Sequence, residues 1–111
     1  MLTINKLHCD SAIDHAALEL KKKLGKKNII AEDLGFLTPS VLKLVEDTGF
    51  PGMKVLHFAF NASGDSEYLP HNYSSNCVVY TGTHDNDTTL SWYHSMSRKD
   101  KVFTRNYLNI R

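Results

Sequence analysis

Residues 53–60 read MKVLHFAF, a near-continuous apolar run that follows the turn-forming pair Pro51-Gly52. A strand buried on both faces carries such a run, whereas a half-exposed strand alternates apolar and polar residues. We therefore predict a buried strand over about residues 53–60. Two comparable runs flank it, residues 28–31 (NIIA) and residues 77–81 (CVVYT), and we predict buried strands there too.

The three runs recur at an almost constant interval along the chain. They begin at residues 28, 53 and 77, so that successive starts are 25 and 24 residues apart. Strands that alternate with helices at this rhythm are typical of a parallel α/β sheet, either open or closed into a barrel. The predicted fold class is α/β, with parallel strands over about residues 28–32, 53–60 and 77–83.

Helical signals lie between and after these strands. Apolar residues at helical spacing predict an amphipathic helix over about residues 10–24. Thr38 and Gly49 are the expected caps of a second helix over Pro39–Thr48. Thr88 or Thr89 is expected to cap a third, and a further amphipathic stretch runs to the end of the chain. Residues 61–76 are polar and predict a functional loop.

Carboxylates and a histidine stand where the predicted strands end. Glu32-Asp33 follows the first strand and His84-Asp85 the third. Because ligands meet the carboxyl ends of parallel strands, we expect Glu32 and Asp85 to approach one cleft, as glycoside bond chemistry requires of paired carboxylates. Each acid taken alone is equally consistent with a solvated loop residue or a helix cap.

His84 and the aromatic residues each allow more than one interpretation. His84 is a sugar-hydroxyl donor, a metal ligand or a structural histidine; the metal is the weakest, because no His/Cys cluster completes a ligand set. Phe58 and Tyr73 lie near the expected rim, where stacking on a sugar ring and packing in the core are equally plausible. Core packing is favoured for Tyr80, Trp92 and Tyr93.

Composition excludes several classes of protein. The 111 residues are 41% hydrophobic and 23% charged, which is typical of a globular chain and neither a membrane-spanning nor a disordered one. Thirteen Lys+Arg and twelve Asp+Glu give a net charge of +1, so no long-range field attracts nucleic acid. Cys9 and Cys77 lack a zinc-ligand spacing and are expected to be reduced thiols. Met1–Cys9 lacks an export signal, so a cytoplasmic location is expected.

Several unusual strings identify a family. Residues 29–35 (IIAEDLG), Thr38-Pro39, residues 52–56 (GMKVL), residues 68–73 (YLPHNY) and residues 80–88 (YTGTHDNDT) resemble, in order and spacing, the 4-alpha-glucanotransferases. These are the amylomaltases, or disproportionating enzymes, of glycoside hydrolase family seventy-seven. The resemblance extends over about residues 28–110.

The resemblance implies a fold and a set of site residues. The fold is a fragment of a TIM barrel, its fifth to seventh strands, so that residues 1–111 form a partial catalytic barrel. Glu32 matches the family's general acid/base, and Asp85 matches the carboxylate that stabilises the transition state. The implied substrate-binding residues are His84, which bonds the donor sugar, Phe58 on the acceptor side, Asp33 and His71.

The resemblance also implies a reaction and its partners. The reaction is a retaining transfer between malto-oligosaccharides or other alpha-1,4-glucans, without a metal or organic cofactor, a nucleic acid or a membrane. His57 stands where the family usually has Gln, and Ser91 where it usually has Gly. Residues 1–27 show neither the strand nor the motif of the nucleophilic aspartate, so the isolated chain is expected to be inactive.

Two alternatives to an enzyme fragment remain. One is a non-catalytic carbohydrate-binding or self-assembling half-barrel module, in which exposed strand edges would favour self-association. The other, ranked last, is phosphate or nucleic-acid binding through the basic residues of Lys21–Lys27.

Overall fold

The computed structural model describes residues 2–3, 18–19, 21–23, 25, 27–35 and 37–110. The chain divides into two compact units. Unit 1 comprises Met1–Met53 with Asn76–Val78, and unit 2 comprises Lys54–Ser75 with Val79–Arg111. Each is described by itself below.

The described residues form short strands and helices in α/β order. The elements are β1 (Leu2–Thr3), β2 (Ala31–Glu32), α1 (Pro39–Thr48), β3 (Gly52–Val55), β4 (Cys77–Tyr80), α2 (Thr89–Ser95) and α3 (Arg98–Tyr107). Single 3-10 turns occupy Leu56–Phe58 and Pro70–Asn72. β1 and β2 pair in one two-stranded sheet, and β3 and β4 in another. The predicted α/β class is confirmed by this alternation of strands and helices and by the parallel pairing of β1 with β2.

Strand β1 lies within residues 1–27, where the sequence predicted a helix and did not show the strand of the nucleophilic aspartate. It pairs in parallel with β2, with Leu2 opposite Ala31 and Thr3 opposite Glu32. Two residues are too short a run for a periodic sequence signal, so only the pairing reveals the strand. Of the helix predicted over residues 10–24, residues 18–19 and 21–23 are helical, and the remainder lies outside the described residues.

Helix α1 confirms the sequence prediction at both ends. The Thr38 side chain accepts a hydrogen bond from the Val41 N–H, and proline occupies the first turn. Gly49 ends the helix in the left-handed region, with φ of 64°. The Lys21 ammonium donates to the Thr48 carbonyl, where a cation is favoured by the helix dipole.

A buried carboxylate joins the end of β2 to the start of β3 in unit 1. Asp33, only 8% exposed, accepts a 2.6 Å hydrogen bond from the Met53 N–H at Oδ1. The Ala31 N–H donates to the Pro51 carbonyl at 2.9 Å. A Cβ on Gly52 would lie 2.5 Å from Asp33 Oδ2, so this approach requires glycine. Strand β2, which the sequence predicted over residues 28–32, spans only Ala31–Glu32.

The strand predicted over residues 53–60 is wrong beyond Val55. The chain turns at Leu56–Phe58, where the Ala59 N–H donates to the Leu56 carbonyl at 3.0 Å. His57, within this turn, and Phe60, just after it, are both buried in unit 2.

The core of unit 2 forms around the residues that follow this turn. Its buried centre is Ala59, Phe60 and Leu69. The partly buried residues packed against it are Leu56, Tyr68, Trp92, Met96, Phe103 and Tyr107. Core packing is thus confirmed for Trp92, which lies 5.9 Å from Phe60 between ring centroids.

Strand β4 is not the buried strand that its composition predicts. It ends at Tyr80 rather than at residue 83, and Val79 and Tyr80 are exposed. Among the described residues β4 has only β3 as a sheet neighbour, and Cys77 and Val78 are half-buried. The assignment of Tyr80 to the core is therefore corrected.

The carboxyl-terminal helices begin at the expected kind of residue. Thr88 caps α2 by accepting a hydrogen bond from the Ser91 N–H at 3.3 Å. Ser97 caps α3 by accepting one from the Asp100 N–H at 3.1 Å. In the part of the chain that is described, no helix combines the length and apolar character needed to cross a membrane.

We expect Asp33→Ala to lower the free energy of unfolding by about 1–3 kcal/mol, because it leaves the buried Met53 N–H without an acceptor. Urea denaturation of the 111-residue chain measures the change. Asp47→Ala is the control, since Asp47 forms an exposed ion pair with Lys43 one helical turn away, worth less than about 0.5 kcal/mol. Equal losses in the two variants would contradict the role given to Asp33.

We expect Gly49→Ala to lower the free energy of unfolding by about 1–2 kcal/mol, because alanine disfavours the left-handed backbone conformation of residue 49. A Cβ there would meet Lys21 Nζ at 3.6 Å, an ordinary contact. Gly49→Asn should cost less in the same denaturation experiment, since Asn tolerates the left-handed region. An Asn variant as unstable as the Ala variant would show that space, rather than backbone conformation, selects glycine.

Candidate active site

The predicted site residues are divided between the two units. Glu32 and Asp33 belong to unit 1. The other four, all in unit 2, are Phe58, His71, His84 and Asp85.

Neighbouring carboxylates at the end of β2 have different environments. Glu32 is the last residue of β2 and is half-buried. Asp33 is directed inward and bonds the Met53 backbone, as described above. Because its Oδ1 already accepts a buried hydrogen bond, Asp33 has a structural role that the sequence analysis missed. Its substrate-binding role stays a prediction.

His84 and Asp85 are brought together on the segment that joins β4 to α2. Their side chains are 84% and 82% exposed, and His84 Nε2 lies 3.4 Å from Asp85 Oδ1. An ion pair this exposed is screened by water and contributes little. Both side chains are therefore available to an incoming ligand rather than committed to each other.

The backbone beneath Asp85 is fixed by its neighbours. Asn86 Oδ1 accepts hydrogen bonds from the Thr83 N–H at 2.8 Å and from the Thr83 hydroxyl at 2.9 Å. The Asn86 N–H donates to the Thr83 carbonyl at 3.1 Å, and the Asp85 N–H donates to Thr83 Oγ1 at 3.3 Å. These bonds close a tight turn from Thr83 to Asn86, which presents the side chains of residues 84 and 85 to solvent.

Phe58 presents an exposed aromatic surface. It is 42% exposed and meets the Tyr68 ring edge-to-face, with centroids 5.3 Å apart. Lys54 Nζ lies 5.0 Å from the centre of the same Tyr68 ring and pairs with Glu67 at 3.0 Å. Tyr68 is thus held between Phe58 and a cation. The arrangement leaves part of the Phe58 ring open for stacking.

His71 is oriented by the last helix of unit 2. Its Nδ1 shares a 2.8 Å hydrogen bond with the Tyr107 hydroxyl, and its backbone N–H donates to the same oxygen at 3.4 Å. Because Tyr107 also packs against Phe60 in the core, the position of His71 is tied to that core. Its substrate-binding role stays a prediction.

Two residues near Asp85 were not recognised from sequence. His57 was noted only as a departure from the family's usual Gln, yet it is buried beside Gly82 and α2. Asn86 was noted only within the family string of residues 80–88, yet it closes the turn below Asp85. The signal for Asn86 was its place two residues before a helix cap, where Asn side chains commonly bond a nearby backbone.

The described residues hold no cluster of three or more His, Cys, Asp or Glu with the arrangement of a metal site. Cys77 lies half-buried in β4.

Comparison with known proteins places this geometry in a family. The sequence profile of the 4-alpha-glucanotransferase family, glycoside hydrolase family 77, matches residues 3–111. The match begins well before residue 28, where the recognisable strings start.

Similar proteins include several 4-alpha-glucanotransferases. That of Clostridium butyricum is 52% identical over 82 residues, which is 74% of this chain and 17% of the relative. That of Synechocystis is 54% identical over 91 residues, 80% of this chain and 18% of the relative. That of Thermus thermophilus is 48% identical over 92 residues, 81% of this chain and 18% of the relative. The chain thus spans less than a fifth of the length of these relatives.

A solved structure agrees with the sequence comparison. The amylomaltase from Streptococcus agalactiae in complex with acarbose superposes with a TM-score of 0.81 and 38% identity, covering 86% of this chain and 19% of that one. The same family is reached from the strings of the sequence, from the profile match and from the backbone, and the chain belongs to the 4-alpha-glucanotransferases of glycoside hydrolase family 77.

Proposed function

We propose that this chain forms part of the catalytic TIM barrel of a 4-alpha-glucanotransferase, which transfers alpha-1,4-glucan segments between malto-oligosaccharides with retention of configuration. The observation that carries the proposal is the exposed His84-Asp85 pair on a fixed turn, in a chain of this family. The structurally similar amylomaltase is in complex with acarbose. Acarbose is a malto-oligosaccharide analogue, which supports glucans as the substrate class.

In this proposal Glu32 moves the protons. A retaining glycoside transfer breaks the glycosidic bond while an acid protonates the leaving oxygen, and the same group later removes the proton from the incoming hydroxyl. Glu32, at the carboxyl end of β2, is assigned both steps by its match to the family's acid/base. The acceptor is the 4-hydroxyl of a second glucan rather than water.

Asp85 and His84 act on the sugar itself. The transition state resembles an oxocarbenium ion, so a carboxylate beside it lowers its energy. Asp85 supplies that charge, and its exposed side chain is free to face the sugar. His84 donates a hydrogen bond to a sugar hydroxyl, and Phe58 stacks on a ring at the acceptor side. The nucleophilic aspartate of the mechanism is assigned to no residue of this chain.

A chimera tests these roles. Residues 28–110 replace the equivalent segment of the Clostridium butyricum relative, and glucose release from maltotriose is measured. We expect the chimera to be active, Glu32→Gln to lower kcat roughly 10²–10⁴-fold by loss of the proton donor, and Asp85→Asn to lower it roughly 10²–10³-fold.

His94→Gln is the matched control for the chimera, since His94 is exposed on α2. It should leave kcat unchanged. An active chimera whose rate is insensitive to both carboxylate substitutions would refute the assignment of Glu32 and Asp85.

We expect the isolated 111-residue chain to release no glucose from maltotriose above its own Glu32→Gln variant, because no residue in it matches the nucleophile. Glucose is measured enzymatically over hours at high protein concentration. Release that depends on Glu32 would show that the chain supplies its own nucleophile.

A further inference from the structure

We propose that His57 is a positioning residue that fixes both ends of the segment Gly82–Thr88, which carries His84 and Asp85. The proposal rests on the role proposed above for Asp85 in glucan transfer. All of the residues involved belong to unit 2.

The first end of the segment lies directly against His57. The His57 N–H donates to the Thr81 carbonyl at 3.0 Å, so the backbones of the two residues are joined. A Cβ built on Gly82 would lie 2.9 Å from both Cε1 and Nδ1 of the His57 ring. The imidazole therefore rests on the Gly82 backbone at a distance that no larger residue permits.

The second end is held by the other nitrogen of the same ring. His57 Nε2 shares a 3.0 Å hydrogen bond with the hydroxyl of Thr89, the first residue of α2. The ring also stacks on Trp92, with centroids 4.4 Å apart and planes inclined by 9°. Because Trp92 packs against the buried core, the imidazole cannot move without disturbing that core.

The chemistry of the ring favours a structural role over an acid-base one. His57 is 8% exposed, and its Nδ1 has no hydrogen-bond partner among the described residues. Burial lowers the pKa of His57 below its ordinary value of 6.5, so the ring is neutral near pH 7. An unpartnered nitrogen is tolerated better without a proton, so the proton resides on Nε2 and is donated to Thr89.

The segment has internal bonds and one further anchor among the described residues. Its internal hydrogen bonds join Thr83 to Asn86 and make a rigid turn. At its far end Thr88 caps α2, where it accepts hydrogen bonds from the Ser91 and Trp92 N–H groups.

The side chains of His84 and Asp85 are exposed and do not hold the turn in place. His57 adds a side-chain contact at each end, to Gly82 and to Thr89, and so links both ends to the core of unit 2.

Amide hydrogen exchange in the 111-residue chain tests the positioning directly. We expect Thr89→Val, which removes only the acceptor for Nε2, to speed exchange of the Thr83 and Asn86 amides about fivefold, the effect of one hydrogen bond. His57→Ala should speed it more, and His57→Gln, which keeps a side-chain donor, should largely restore it. His94→Gln on α2 is the control and should change nothing. Unchanged exchange in Thr89→Val and His57→Ala would overturn the proposal.

A double-mutant cycle separates this contact from general destabilisation. Gly82→Ala should speed exchange in the wild-type background, where the new Cβ meets the imidazole. In the His57→Ala background the same substitution should have a smaller effect, because the ring is gone and only the 3.3 Å contact with Asn86 Cβ remains. Additive effects would overturn the claim that the ring positions Gly82, even if every single variant is less stable.

The chimera then connects position to catalysis. We expect His57→Ala to lower kcat roughly 10–100-fold, as misplacement of a reacting group does, with KM changed less than about threefold and His57→Gln restoring kcat. A rise in KM with kcat intact would overturn the link to Asp85. If instead the proposed function of Asp85 is wrong, Asp85→Asn will leave the chimera's kcat unchanged. The exchange experiments still decide in that case whether His57 positions the segment.

Discussion

The buried hydrogen bond from the Met53 N–H to Asp33 is the constraint on which the placement of Glu32 depends. A carboxylate taken out of water needs donors, and this one finds the Met53 amide at 2.6 Å. Gly52 has no side chain, so the carboxylate lies directly against the backbone. The preceding residue, Glu32, is the half-buried last residue of β2. The acidic pair thus contains one structural and one candidate catalytic residue.

A comparable division is found in unit 2, where His57 and Phe58 are adjacent but differ in role. His57 is buried between Gly82 and Trp92, while the Phe58 ring is partly exposed. The turn at Leu56–Phe58 produces this difference. In each unit, therefore, a buried polar side chain contacts the backbone of a distant segment and lies next to a candidate site residue, Glu32 or Phe58.

The sequence predicted the features that depend on local chemistry. Helix α1 has the predicted bounds because Thr38, Pro39 and Gly49 act on their own backbone. The strand runs were less informative, since an apolar run does not distinguish a continuous strand from a strand followed by a turn. The end of β3 at Val55 is set by packing of His57 and Phe60, which are distant in sequence from their partners.

In the candidate site, too, the sequence predicted what depends on local signals and missed contacts between residues distant in the chain. Glu32 and Asp85 were found from strand ends and family strings, which are local signals. The inward direction of Asp33 and the contact of His57 with Gly82 depend on residues 20 and 25 positions away. The exposed faces of Val79 and Tyr80 were missed because a two-stranded sheet leaves apolar residues uncovered that a complete sheet would bury.

We propose that Glu32 is the acid/base of a retaining transfer, and chemical rescue is the sharpest test of that role. In the chimera, Glu32→Ala is given α-maltosyl fluoride, whose leaving group needs no proton, and azide, a nucleophile that needs no base. We expect an azide-dependent rate and α-maltosyl azide as product, with retained configuration. An active Glu32→Ala enzyme that azide does not accelerate, or a product of inverted configuration, would contradict this role of Glu32.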